Sequence, residues 1–84
     1  MPNSEAQRDP SAFLAEAEPV TRELGAAGRS LRVTIEAGLW RGLERIAALE
    51  GVPLDELVMR VVERLPAGNS LAAGLRVFVA AYRR

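Results

Sequence analysis

Cysteine and histidine are both absent from this 84-residue chain. Without cysteine there is no disulfide to staple a small fold and no thiolate to act as nucleophile or metal ligand. Without histidine, the usual acid–base group near neutral pH and the commonest metal ligand are missing. Lysine is absent too: all eleven basic residues are arginine, a side chain suited to bidentate recognition. No apolar run approaches the ~20 residues that span a bilayer. Met1–Pro10 is polar and has no apolar h-region, so no signal peptide is expected and the reading is a soluble, cytoplasmic protein. There is no phosphate-binding glycine motif, no metal-ligand spacing and no serine with a recognisable base. Asp55 and Glu56 adjoin a helix start and do not form a facing carboxylate pair. Neither an enzyme nor a bound cofactor or metal is expected.

What is present is enough for one domain at most. With some 60 ordered residues, a domain buries only about 60% of its unfolded surface, so dimerisation is the natural way to enlarge the core. The formal net charge is zero, but it divides unevenly. Residues 1–28 hold two arginines against five acids, a net −3, and residues 29–84 hold nine arginines against six acids, a net +3. Such asymmetry suits a basic binding module behind an acidic arm.

The strongest local signal is Ser30-Leu31-Arg32-Val33-Thr34-Ile35-Glu36. Leu31, Val33 and Ile35 alternate with polar neighbours, the period of a strand with one wet and one dry face. It is the only convincing strand. A single strand leaves its backbone groups unpaired, and the nearest partner is the same strand of a second copy. Two such strands form a ribbon that presents Arg32 and Thr34 twice and fits the DNA major groove. A one-residue slip in register would bury Arg32 and expose Val33.

Before the strand, prolines at 2, 10 and 19 and the Gly25-Ala26-Ala27-Gly28 run mark a loosely structured segment. Ser11–Glu18 reads as a short helix that needs docking, since Phe13 and Leu14 are its only large apolar residues; the other reading is a short strand over Val20–Leu24. After the strand, Leu39, Leu43, Ile46 and Ala47 predict a helix over Ala37–Glu50, capped by Gly51. Trp40 flanks its stripe and packs at the edge of the core, with Arg41 and Arg45 on a solvated face. Val52-Pro53 opens a second helix with a wide stripe of Leu54, Leu57, Val58, Val61, Val62 and Leu65, suited to more than one neighbour. Met59 lies off that stripe as a gap filler, and Pro66-Ala67-Gly68 ends the helix. Asn69 or Ser70 caps a third helix, Leu71–Tyr82, with Leu71, Leu75, Phe78, Val79 and Tyr82 on its apolar face and Gly74 marking close packing.

Strand, helix, glycine turn and helix follow in the order of the ribbon-helix-helix fold. From about Ser30 to Leu65 the chain resembles DNA-binding proteins of the Arc and MetJ repressor type. The residues that carry this are Leu31-Arg32-Val33-Thr34-Ile35, the run Leu39-Trp40-Arg41-Gly42-Leu43-Glu44-Arg45-Ile46-Ala47, and Gly51-Val52-Pro53-Leu54-Asp55-Glu56-Leu57-Val58. Gly68-Asn69-Ser70-Leu71-Ala72-Ala73-Gly74-Leu75-Arg76-Val77-Phe78-Val79 is similar to the added third helix of a bacterial ribbon-helix-helix subfamily.

The resemblance implies a mainly α fold with one strand per chain, paired as an intermolecular antiparallel ribbon in an obligate homodimer, plus a third C-terminal helix. The organisation expected is an acidic, flexible arm over 1–28, the ribbon-helix-helix domain over 29–66, and a C-terminal helix over 67–84 on the same core. Carried over, Arg32 and Thr34 are base readers with Ser30 at the margin. The backbone amides of Leu54 and Asp55 meet phosphate, and Arg29 adds a phosphate contact. Leu31, Val33, Ile35, Leu57, Val58 and Val61 form the dimer core. Pro53 stands where family members often carry serine or threonine, so a side-chain cap is missing. Asp55 and Glu56 bring two acids to the helix start, where they complement its dipole. Glu36 is placed in the lead-in to the first helix in preference to the groove-facing side.

The function expected is sequence-specific binding of double-stranded DNA as a transcriptional repressor. In the competing reading of Arg32, it is a surface residue paired with Glu36 or Glu23. The alternative function is a protein-interaction module or antitoxin-like dimer whose acidic arm or third helix binds a protein partner. The arm is the better candidate, because the chain ends on Arg83 and Arg84 instead of a long toxin-binding tail. No membrane partner is expected.

Overall fold

The computed structural model describes residues 10–26 and 28–82. What the sequence reading placed on residues 1–9, Ala27, Arg83 and Arg84 lies outside them. The elements are α1 (Pro10–Ala17), β1 (Pro19–Ala26), β2 (Arg29–Glu36), α2 (Ala37–Glu50), α3 (Leu54–Arg64) and α4 (Leu71–Ala81). The architecture is mainly helical, with a two-stranded antiparallel ribbon leading into the helices.

β2 finds its partner inside its own chain. β1 pairs with it antiparallel, Val20 opposite Ile35, Arg22 opposite Val33 and Leu24 opposite Leu31. Gly28, at φ 76°, turns the hairpin in a conformation that other residues rarely adopt. This corrects the expectation of one strand per chain. Both readings of the preceding segment also hold together, a helix at 10–17 and a strand at 19–26. The second strand is hard to see because its inward positions are Val20, Arg22 and Leu24, with an arginine in the middle of the dry face. Arg22 is tolerated there because its guanidinium lies 4.8 Å over the Trp40 ring and donates to Glu44 Oε2 at 2.7 Å.

Trp40 is 1% exposed, so it sits inside the core and not at its edge. Its indole N–H donates to the Val20 carbonyl at 2.8 Å, tying α2 to β1. The core joins Leu24, Val33 and Ile35 from the ribbon, Trp40, Leu43, Ile46 and Ala47 from α2, Leu57 and Val58 from α3, and Leu75 from α4. Of the residues expected at a dimer core, Val33, Ile35, Leu57 and Val58 are buried within one chain, and Leu31 and Val61 are half-buried at its margin.

The helix boundaries follow the sequence signals. Gly51 ends α2 in a left-handed cap, with its N–H on Ala48 O and that of Val52 on Ala47 O. Pro53 stands at the cap position of α3 without a side-chain bond. Ser70 Oγ accepts from Ala73 N–H at 3.1 Å and caps α4. Gly74 lets α4 approach α3: a Cβ there would lie 2.6 Å from Leu65 Cδ1. No helix of the described residues is long and apolar enough to cross a membrane.

Candidate nucleic-acid interface

The register of the hairpin decides what the ribbon presents. Thr21, Glu23 and Gly25 of β1 lie opposite Thr34, Arg32 and Ser30 of β2, on the face away from the core. Thr21, Glu23, Ser30, Arg32 and Thr34 are all exposed. The alternation read in β2 therefore holds in register: Arg32 and Thr34 point out, and Val33 and Ile35 point in.

These side chains are coupled across the strands. Arg32 donates from Nε and Nη2 to Glu23 Oε2, at 3.2 and 2.8 Å. The Thr21 and Thr34 hydroxyls are 2.7 Å apart. Opposed residues of this kind lie close because they are the non-hydrogen-bonded pairs of the ladder. The Glu23 partner is one of the two named in the competing reading of Arg32. Thr21 and Glu23 were not anticipated as site residues, since they fall on the strand that Arg22 disguises.

A second group gathers at the turn end of the ribbon. Gly25 N–H points away from β2 and donates to Asp55 Oδ2 at 2.8 Å. That bond brings the first turn of α3 beside β1, close to the hairpin turn. The Asp55 carboxylate is thus turned to the ribbon backbone. With proline at the cap, the cap residue makes no side-chain bond to the first N–H groups of α3, the kind of helix start that can receive an anion.

Glu36 leads into α2 in an extended conformation and makes two 2.9 Å bonds with Arg76 of α4. It does not serve the outward face of the ribbon. The Arg76 hydrogen bond is the largest cause holding the Glu36 carboxyl below its ordinary pKa, with smaller contributions from its own backbone N–H and the Arg76 charge. Arg41, expected on a solvated face, pairs with Glu16 of α1 at 2.8 Å.

The outer edge of β2 stays open. The Gly25–Asp55 bond and the Ala37 N–H to Glu18 O bond (2.8 Å) set the parity of the ladder, which turns the backbone groups of Ser30, Arg32 and Thr34 away from β1. Among the described residues no backbone partner meets them.

A family model described as "Ribbon-helix-helix domain" matches residues 19–83, beginning on the first residue of β1. No curated protein and no solved structure gives a significant match.

Proposed function

The chain belongs to the ribbon-helix-helix family, and we propose on that premise that it is a DNA-binding regulator. In this reading it acts in the cytoplasm as a homodimeric transcriptional repressor and reads the major groove of double-stranded DNA with its ribbon. The observation that carries the reading is the outward face of the hairpin, where Arg32 and Thr34 stand exposed on a two-stranded ribbon of the width a major groove admits. Arg32 can bond guanine O6 and N7, and Thr34 offers a hydroxyl or a methyl contact, with Ser30 at the margin. Arg29 and the first-turn amides of Leu54 and Asp55 suit the flanking phosphates.

Glu23 competes for the same donors of Arg32. Both side chains are largely solvated, and exposed ion pairs contribute about 0–1 kcal/mol. A bidentate arginine–guanine pair discriminates by ~1–3 kcal/mol. The exchange of Glu23 for guanine is therefore downhill at a correct site and close to neutral elsewhere.

Selection of bound fragments from the source genome, at a stated salt concentration, tests this reading. The native protein should enrich a short palindromic site, and the Arg32→Ala, Thr34→Ala double variant should lose it. Equal enrichment by both, or none by either, sinks base readout by the ribbon.

A further inference from the structure

The outward face of the hairpin sets Thr21, Glu23 and Gly25 of β1 beside Ser30, Arg32 and Thr34 of β2. Among these residues Glu23 alone carries a carboxylate. It faces Arg32 directly across the ladder. Glu23 Oε2 accepts from both Nε and Nη2 of Arg32, at 3.2 and 2.8 Å. Among the described residues Oε1 accepts no hydrogen bond. Both side chains reach into solvent, Arg32 being 72% and Glu23 62% exposed. The next opposed pair, Thr21 and Thr34, is uncharged and shares a hydrogen bond of its own.

When guanine takes the donors of Arg32, as in the functional reading above, the Glu23 carboxylate is left inside the groove and loses water. An anion without a donor there is costly. The base pair itself supplies the donor. The major-groove edge of a G·C pair presents guanine N7 and O6, both acceptors, and then the cytosine N4 amino group, a donor. An arginine with a carboxylate at its side presents donors followed by an acceptor, the complement of that row. An A·T pair puts the adenine N6 amino group where the second donor of Arg32 points, and thymine O4 where the carboxylate lies, so both contacts fail. A pair in the reverse orientation sets the amino group on the wrong side.

We propose that Glu23 is a specificity-determining residue, accepting a hydrogen bond from cytosine N4 in the same base pair whose guanine Arg32 binds. The proposal rests on the DNA-binding reading and deepens it: two side chains, one from each strand of a single hairpin, read both bases of one G·C pair. Glu23 enters because β1 pairs with β2 in cis, so the contact belongs to the hairpin and not to β2 alone. Glu23 also repels phosphate, so its carboxylate adds discrimination more than affinity. Glutamine at position 23 keeps an acceptor oxygen for N4 and loses the charge, whereas alanine loses both. The two substitutions therefore separate the contact from the charge.

Fluorescence anisotropy of the full chain on its selected duplex tests this with two modified bases. 7-Deazaguanine removes the N7 acceptor. N4-Methylcytosine puts a methyl group where the groove-facing N–H stood and keeps the bonds between the bases. The guanine whose 7-deaza replacement costs the native protein most marks the pair that Arg32 reads. N4-Methylcytosine opposite that guanine should weaken the native protein and Glu23→Gln about tenfold, and Glu23→Ala by less than about twofold. Comparing modified with unmodified duplex for each protein cancels the general effect of charge at position 23. Circular dichroism of both variants should match the native chain, since the side chain is exposed. An equal loss for all three proteins, or no loss for the native one, overturns the inference and leaves guanine readout by Arg32 standing. A native protein that selects no site, or whose site contains no guanine sensitive to 7-deaza replacement, sinks the functional reading and this contact with it.

Discussion

Glu23 and Glu36 are both carboxylates bonded to an arginine, yet they act on different things. Glu23 occupies the donors of Arg32 on the surface that would face DNA. Glu23→Gln removes a charge that repels phosphate and loosens the hold on Arg32. Affinity for a selected site should rise by about three- to tenfold, and affinity for unrelated DNA should rise at least as much, by fluorescence anisotropy at fixed salt. No change in either would mean that Arg32 does not meet DNA. Glu36 instead joins the start of α2 to α4 through Arg76. Its folded pKa is depressed, so its stabilisation is present above the unfolded carboxylate pKa and is lost as pH falls through the lower, folded value. Thermal midpoints measured from pH 7 down to pH 3 should fall more steeply for the native chain than for Glu36→Gln. Parallel curves would show that the pair contributes nothing to folding. High salt should narrow the difference, because both side chains are partly solvated.

The helices were legible because their signals are local and mutually consistent. Gly51 at the end of one stripe, proline at the start of the next and Ser70 before the third each place a boundary that packing has no reason to move. β2 was legible for the same reason, through strict alternation. β1 was not, because the reason for its inward arginine lies some 20 residues away, in a tryptophan ring and a glutamate on α2. Trp40 is the link. Its N–H bonds the β1 backbone, and its face receives Arg22. Trp40→Phe keeps an aromatic ring but leaves the Val20 carbonyl without the indole donor and weakens the cation–π contact. The expected cost is about 1–3 kcal/mol in urea unfolding followed by circular dichroism. A loss below ~0.5 kcal/mol would place Trp40 as space-filling alone.

Over the whole molecule, charge sets the terms on which this fold can meet DNA. The formal net charge is zero, and the acids Glu23 and Asp55 stand among the candidate contacts. Under the DNA-binding reading a neutral chain neutralises few phosphates, so binding should depend weakly on salt. A plot of log affinity against log salt should have a slope no steeper than about −4, as expected for about four phosphate contacts or fewer. A much steeper slope would show that other arginines carry the contact. Under the DNA-binding reading, specificity then rests on base contacts more than on general attraction to the backbone.

By itself the sequence determined the helix boundaries, the face of β2 that points outward and the family order of strand, helix and helix. These depend on period, caps and turns, which are properties of neighbouring residues. Only the tertiary structure decided that β2 is paired within its own chain, that Glu23 shares the donors of Arg32, and that Asp55 closes on Gly25. Each of these joins residues distant in the chain, and their pairing is set by how the ribbon packs on the helices, information that no local window of sequence contains.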